Sequence, residues 1–416
     1  GEMLASAETA ALAEAMKNSL PTSLAEAELL AGVSRSVGID EARRLAAANS
    51  PDARRTIHQA AFARSIAPCV DGEERTGLLL EADLADLTAK SEQNQAATDA
   101  GTALLALLDA QVKRDGFERI AGELQASREH LVKAEEEGLV SPDLDDVDAQ
   151  ISDARRGAQA ASLAASQANQ KLAVLLGLKA DDVGLLQPRV DLADPGPAVA
   201  PTGAISLALE ERPEILQLQI MLSRLNERTL PMASKAGISV PGPARPPQPS
   251  MPTQLLPVHN QDEIAKFKCD LARFRHIRGL QVGYTREQLV IKHDQAKRET
   301  EQAITAALLE LDSRAREIEL AAEALQTRKD RVARLESRAG VVDVPPLEQF
   351  QARVAVLRAE QDFVGCLIAR KRAWLGLYSA LSLAAEPGPL AGLRTGKDEA
   401  LYVEPAREDP APQPAT

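Results

Sequence analysis

The sequence predicts an all-α protein made of duplicated long helical hairpins of coiled-coil character, with little or no β-strand. Three observations carry this prediction. Aromatic residues make up only 2% of the 416 residues, with one Trp, three Tyr and six Phe. A large globular core uses more of these bulky side chains. Ala, Leu, Glu, Gln and Arg dominate instead, a mixture typical of long helices and coiled coils. Apolar residues recur at spacings of three and four over very long runs, as a helical seam requires. Finally, one pattern occurs twice, at 133–150 and 334–353. A charged helical run meets a Gly (Gly138, Gly340), then two aliphatic residues, a proline-containing turn and a new helix. Gly supplies the left-handed cap that ends a helix, and Pro fits the first turn of the next. These two stretches are the tips of the hairpins.

The elements follow in order. Residues 1–37 are an Ala-rich N-terminal helical extension, with a break at Leu20-Pro21-Thr22. The first repeat spans 38–177. It opens with a short helix from Ile39 to Ala48, and Ser50-Pro51-Asp52 starts a second helix that reaches Ile66. A break at 67–72 precedes one helix from Glu73 to Glu137, with a seam through Leu80, Leu84, Leu104, Leu108, Ile120 and Leu124. At about 1.5 Å per residue that helix is almost 100 Å long. The helix after the tip runs from Leu144 to Leu176 and is capped by Gly177.

A linker, 178–202, leads to the second repeat, 203–383. There Arg212-Pro213-Glu214 starts a helix reaching Ala233. The segment 237–258 is a loop, because it holds seven prolines, each of which removes a backbone donor. The next helix extends from Gln261 to Ala339 with a candidate break at Arg278-Gly279, and the last runs from Leu347 to Leu383. Residues 384–416 form a flexible Pro-rich tail.

Charge and motifs exclude several function classes. A net charge of −13 does not suit a nucleic-acid binder, which needs a basic face to displace phosphate counterions. Cys69, Cys269 and Cys366 are isolated and odd in number, giving neither a disulfide framework nor metal-ligand spacing. His58, His130, His259, His276 and His293 lack the spacing of a metal or base pair, and no GxSxG, Walker loop or GxGxxG is present. The expectation is a protein that is not an enzyme, with no catalytic residues, cofactor or metal. Arg370-Lys371-Arg372 reads as part of a solvated face, and Trp374 as packing. No apolar run of about 18 residues is long enough for a transmembrane helix. No signal peptide is legible, and one removed upstream of Gly1-Glu2-Met3 would leave no trace.

The duplicated motifs resemble those of the TolC-like outer membrane efflux proteins, or outer membrane factors. Ser50-Pro51-Asp52 and Arg212-Pro213-Glu214 are similar to the family's helix-start signature, the second an intact match. Glu137-Gly138-Leu139-Val140-Ser141-Pro142-Asp143-Leu144-Asp145-Asp146-Val147-Asp148-Ala149-Gln150 is similar to its hairpin-tip signature, and the stretch from Ala339 to Ala352 is a looser copy. The resemblance covers 38–383. It implies an α-barrel protomer of a homotrimer, located in the cell envelope of a diderm bacterium, in the periplasm and associated with the outer membrane. It also implies a passive efflux or secretion duct that works with a periplasmic adaptor and an inner-membrane pump.

The family adds two β-strands to each half, between the medium and the long helix, and the trimer closes them into a membrane barrel. A spanning strand needs about 9–11 residues. In the first half only 67–72 is available, and in the second the seven prolines fill the space. These strands are therefore expected to be missing or much reduced, and direct membrane insertion is not expected.

Two groups of site residues follow. Gly138, Leu139, Val140, Ser141, Gly340, Val341 and Val342 are the hairpin tips, read either as self-packed turns or, by the resemblance, as adaptor-facing. Asp143, Asp145, Asp146 and Asp148, with Glu348 in the second copy, are read either as acids that compensate a helix N-terminus or as an acidic pore constriction. The alternative to a duct is a non-conducting coiled-coil scaffold or adaptor of the envelope.

Overall fold

The computed structural model describes residues 35–137, 144–178, 184, 186–194, 199–240, 261–339 and 346–385. The first half of the chain gives β1 (Arg35–Gly38), α1 (Ile39–Asn49), α2 (Pro51–Ile66), a 3-10 turn (Ala67–Cys69), α3 (Gly72–Glu136) and α4 (Leu144–Leu175). The second gives β2 (Leu186–Arg189), α5 (Pro201–Glu211), α6 (Pro213–Arg224), a 3-10 turn (Leu230–Ala236), α7 (Gln261–Ala339) and α8 (Pro346–Ala380). The fold is all-α apart from two strands of four residues each among the described residues.

Local chemistry explains the boundaries. Pro51 and Pro213 each open a helix, where a missing N–H costs nothing. Asp52 and Glu214 follow them, acids suited to the positive end of the helix dipole. Past the end of α4, Gly177 takes a φ of +70°, with Leu178 N bonded to Ala173 O and Gly177 N to Val174 O, both at 3.0 Å. That double bond is the left-handed C-terminal cap. The same cap closes α8 at Ser382, a non-glycine residue at φ 58°.

Four features differ from the sequence-based expectation. Residues 35–37 belong to β1, not to a helical extension, and the linker contains β2. The two strands pair in parallel, with Arg35 opposite Leu186 and Gly38 opposite Arg189. Strands this short carry no legible alternation. The helix begun at Pro213 ends at Arg224 and not near Ala233. There Asn226 Oδ1 accepts from the backbone N of Arg228 (2.8 Å) and Thr229 (3.1 Å), and Thr229 Oγ1 accepts from Asn226 N. These side-chain bonds replace the next helical turn. Lastly, α7 passes through Arg278-Gly279 unbroken.

Between α2 and α3 lie only the 3-10 turn, Val70 and Asp71, with no strand. Residues 241–260, where the second strand pair would fall, lie outside the described residues. No described helix is long and apolar enough to cross a membrane.

The chain forms two compact units. One comprises residues 1–50, 93–204 and 304–416, the other 51–92 and 205–303. In the first, Val37 and Leu186 of the strands pack with Ala42 and Ala46 of α1, Leu104 of α3 and Leu172 of α4. Alanine at these contacts brings the helices close. A methyl group added at Gly101 would fall 2.8 Å from Leu375 Cδ1, so α3 and α8 touch nearly backbone to side chain. Phe363 sits farther along α8 against Ile318 and Leu325 of α7. In the second unit Leu80 and Leu84 of α3 meet Leu218 and Met221 of α6 and Leu289 of α7. Each such leucine contributes about 1.5–3 kcal/mol by leaving water.

One buried cation ties the first unit together. Arg43 is 1% exposed. Its Nε donates to Ala384 O at 2.8 Å, its Nη2 to Leu383 O at 3.0 Å and its Nη1 to Asp40 at 3.0 Å, and its guanidinium lies 5.0 Å from the Tyr378 ring centroid. Arg43 thus satisfies carbonyls just past the end of α8 and fastens them to α1. Arg43→Met removes these donors while keeping much of the volume. It should lower unfolding stability by about 2–4 kcal/mol, seen as a lower urea midpoint with unchanged slope. A midpoint equal to the wild type would show that the clasp contributes nothing.

Candidate functional site at the hairpin ends

The candidate site is built from the ends of α3, α4, α7 and α8 in the first unit. Ile120, Leu124 and Leu131 of α3 pack with Val147 and Ile151 of α4, and Val354 of α8 joins them. His130 and Phe350 stack with ring centroids 5.5 Å apart. This apolar strip holds the hairpin arms in register up to the turns.

Ion pairs border the strip. In the first hairpin Arg128 Nε donates to Asp148 at 2.6 Å, and in the second Arg331 Nη2 donates to Glu348 at 3.2 Å. Each pair joins a long helix to the helix that follows its tip. Arg353 bridges Glu336 at 3.1 Å and Glu123 at 3.5 Å, linking α8 to both long helices. The hydrogen bond to Asp148, reinforced by its charge, pushes the Arg128 guanidinium above its usual value. All these pairs are partly or largely solvated, so each adds little to stability. They fix register rather than supply the stability of the hairpins.

The predicted acids therefore fall into two groups. Asp148 and Glu348 are neutralised by arginines across their hairpins. Asp145 and Asp146 are exposed in the first turn of α4, and Asp146 accepts from Gln150 Nε2 at 3.1 Å. Asp143 and the tip residues Gly138, Leu139, Val140, Ser141, Gly340, Val341 and Val342 lie outside the described residues. Sequence reasoning missed Arg128 and Arg331, which meet their carboxylates only when the chain folds back on itself. The one available signal was a basic residue in each arm ahead of the tip.

Two other groups of side chains bear on chemistry. Arg370 and Lys371, expected on a solvated face, are instead partly buried under the connector after β2. Arg370 donates to Leu192 O and Asp194 O, and Lys371 Nζ to Asp194 O at 2.9 Å. Burial pulls both cations below their usual values, against the opposing charge of Asp194. The connector folds back over α8, which periodicity in α8 alone does not reveal. Among the described residues no group of three His, Cys, Asp or Glu could hold a metal ion.

With this arrangement in view, the fold is that of the TolC-like outer membrane channels. The chain is similar to a membrane protein from Pseudomonas aeruginosa (TM-score 0.60, 14% identity, 82% of this chain and 90% of that one). It is also similar to the Campylobacter jejuni CmeC outer membrane channel (0.58, 10%, 87% and 89%). The outer membrane protein VceC from Vibrio cholerae matches equally well (0.59, 12%, 83% and 96%). No protein-family model and no curated protein matches the sequence. At these identities the likeness is one of fold.

The three thiols should separate by burial. Cys69 and Cys269 are exposed, whereas burial, with the charges of Glu317 and Asp362, pushes the Cys366 thiol up. Since the thiolate is the reactive form, iodoacetamide near neutral pH should label Cys69 and Cys269 at least about tenfold faster than Cys366, until the chain is unfolded. Peptide mass spectrometry reads the rates, and equal rates would contradict the packing around α8.

Proposed function

We propose that the protein is a component of an efflux or secretion duct: a passive, non-enzymatic helical conduit of a diderm cell envelope. The observation that carries this reading is the end-to-end likeness of fold, over 82–87% of this chain and 89–96% of the channels compared above. In this reading three copies assemble, and the two sequence repeats each supply one hairpin. The hairpin ends meet a periplasmic adaptor, which in turn meets an inner-membrane pump. Gly138, Leu139, Val140, Ser141, Gly340, Val341 and Val342 are the adaptor-facing residues. The acidic constriction comprises Asp143, Asp145, Asp146 and Asp148 with Glu348, of which Asp148 and Glu348 pair with Arg128 and Arg331. Carboxylates at a narrow point attract cations, as charged rings in channels do.

A second reading keeps the hairpins but not the conduit: a coiled-coil scaffold or adaptor of the envelope. It is favoured by the turn between α2 and α3, which is too short to hold a strand pair.

Native mass spectrometry and efflux assays distinguish the two. A conduit should appear as three copies, and cells lacking the protein should retain an exported solute that the wild-type gene clears. Asp145→Asn with Asp146→Asn should leave assembly intact and reduce cation flux several-fold. A monomer at all concentrations, with unchanged export in cells lacking it, would exclude the conduit and leave the scaffold.

A further inference from the structure

Four helices of the first unit form a layer with two edges. α4 packs on α3, where Gly157 abuts the Phe117 ring. α3 packs on α8, where Gln361 abuts Gly116 and its Nε2 donates to Lys113 O at 3.1 Å. α8 packs on α7 through Phe363 and Ile318. In this layer α3 and α8 have a helix on either side, while α4 and α7 are the edges.

The large apolar side chains that the unit leaves in water stand on those edges. On α4, Leu163 is 61% and Val174 76% exposed, and on α7, Leu309 is 66% and Leu320 65% exposed. Apart from Leu347 at the start of α8, no other large apolar side chain is exposed among the described residues of the unit. Leu163 comes two residues after buried Ala161, and Val174 two after buried Leu172. Both therefore point about half a turn away from the seam to α3. Leu320 likewise comes two residues after buried Ile318.

The two edges match each other. Each carries its apolar pair eleven residues apart, about three turns, so the members of a pair share one line. Heights match as well. Leu163 is nineteen residues from the start of α4 at Leu144, and Leu320 nineteen from the end of α7 at Ala339. Val174 and Leu309 are each thirty residues from those same points. α4 runs away from the hairpin ends and α7 runs towards them, so antiparallel edges bring Leu163 opposite Leu320 and Val174 opposite Leu309 together. Contacts across the layer agree. Counted from Gly157 at Phe117, Gln361 at Lys113 and Phe363 at Ile318, Leu163 and Leu320 fall within about one turn in height. Charge is complementary too. Residues 156–174 of α4 hold Arg156 and Lys171 and no acid, whereas 309–327 of α7 hold five acids and two arginines.

An unrelated partner gives no reason for one edge of this chain to match the other. A second copy does, because a cyclic ring joins one edge of each subunit to the opposite edge of the next. Equal heights matter there: rotation without translation closes a ring, whereas an offset builds a filament. We propose that the outer face of α4 in one copy packs antiparallel on the outer face of α7 in the next, Leu163 on Leu320 and Val174 on Leu309. This contact rests on the reading that copies assemble and is independent of what the assembly conducts.

Disulfide trapping tests it in the full chain carrying Cys69→Ser, Cys269→Ser and Cys366→Ser. Leu163→Cys with Leu320→Cys should link chains to one another under mild oxidation, as should Val174→Cys with Leu309→Cys. The mismatched set, Leu163→Cys with Leu309→Cys, puts the thiols about 16 Å apart in height. It should link at least about tenfold less, since a disulfide needs Cα atoms within about 7 Å. Leu163→Asp with Leu320→Asp should lower the assembled fraction about tenfold, because buried carboxylates without partners are costly. All four positions are exposed in the single chain, so the helical circular dichroism spectrum should not change. If the aspartate variant loses it, the cysteine sets decide alone. An assembly by native mass spectrometry in which neither matched set links, or the mismatched set links equally, overturns this contact and leaves assembly standing. A monomer at all concentrations overturns both.

Discussion

The protein depends on how closely its helices can approach. With so few aromatic residues, a helix in this chain cannot bury much area per side chain and must do it through many short contacts. Ala42, Ala46, Ala100 and Ala165, all buried in one cluster, are the means. Small side chains bring backbones near enough for leucines of neighbouring helices to interlock, and the seams then extend turn after turn. Gly101 against Leu375 shows the same constraint at its limit. Long helices follow from it, because stabilisation gathered in small increments needs length.

Close packing leaves the ends to be secured separately. Arg43 does so where α8 terminates, in a buried site where Nε, Nη1 and Nη2 each donate a hydrogen bond. The hairpin ends use the opposite device. Arg128 with Asp148 and Arg331 with Glu348 are solvated pairs of small energetic weight, which set register without rigidity. Ends held this way can shift at low cost, which suits a surface that meets a partner. The same pairs engage two of the acids near the tip, Asp148 and Glu348.

Most of the fold was legible in the residues. Seam spacing located α3, α4, α7 and α8 to within a few residues, and Pro51, Pro213 and Gly177 marked ends by fixing or freeing backbone angles. These are local properties, and local properties can be read along a chain. Tertiary structure alone decided the rest. The parallel pairing of Arg35–Gly38 with Leu186–Arg189 joins segments too short to signal a strand and too far apart to signal a pair. The early end of α6 turned on the side-chain bonds of Asn226 and Thr229. Lys371 left the solvated face because a distant connector folded over it. Asp148 and Glu348 met arginines in the opposite arm. Each outcome depends on which residues meet in space, and spacing along one helix does not contain that.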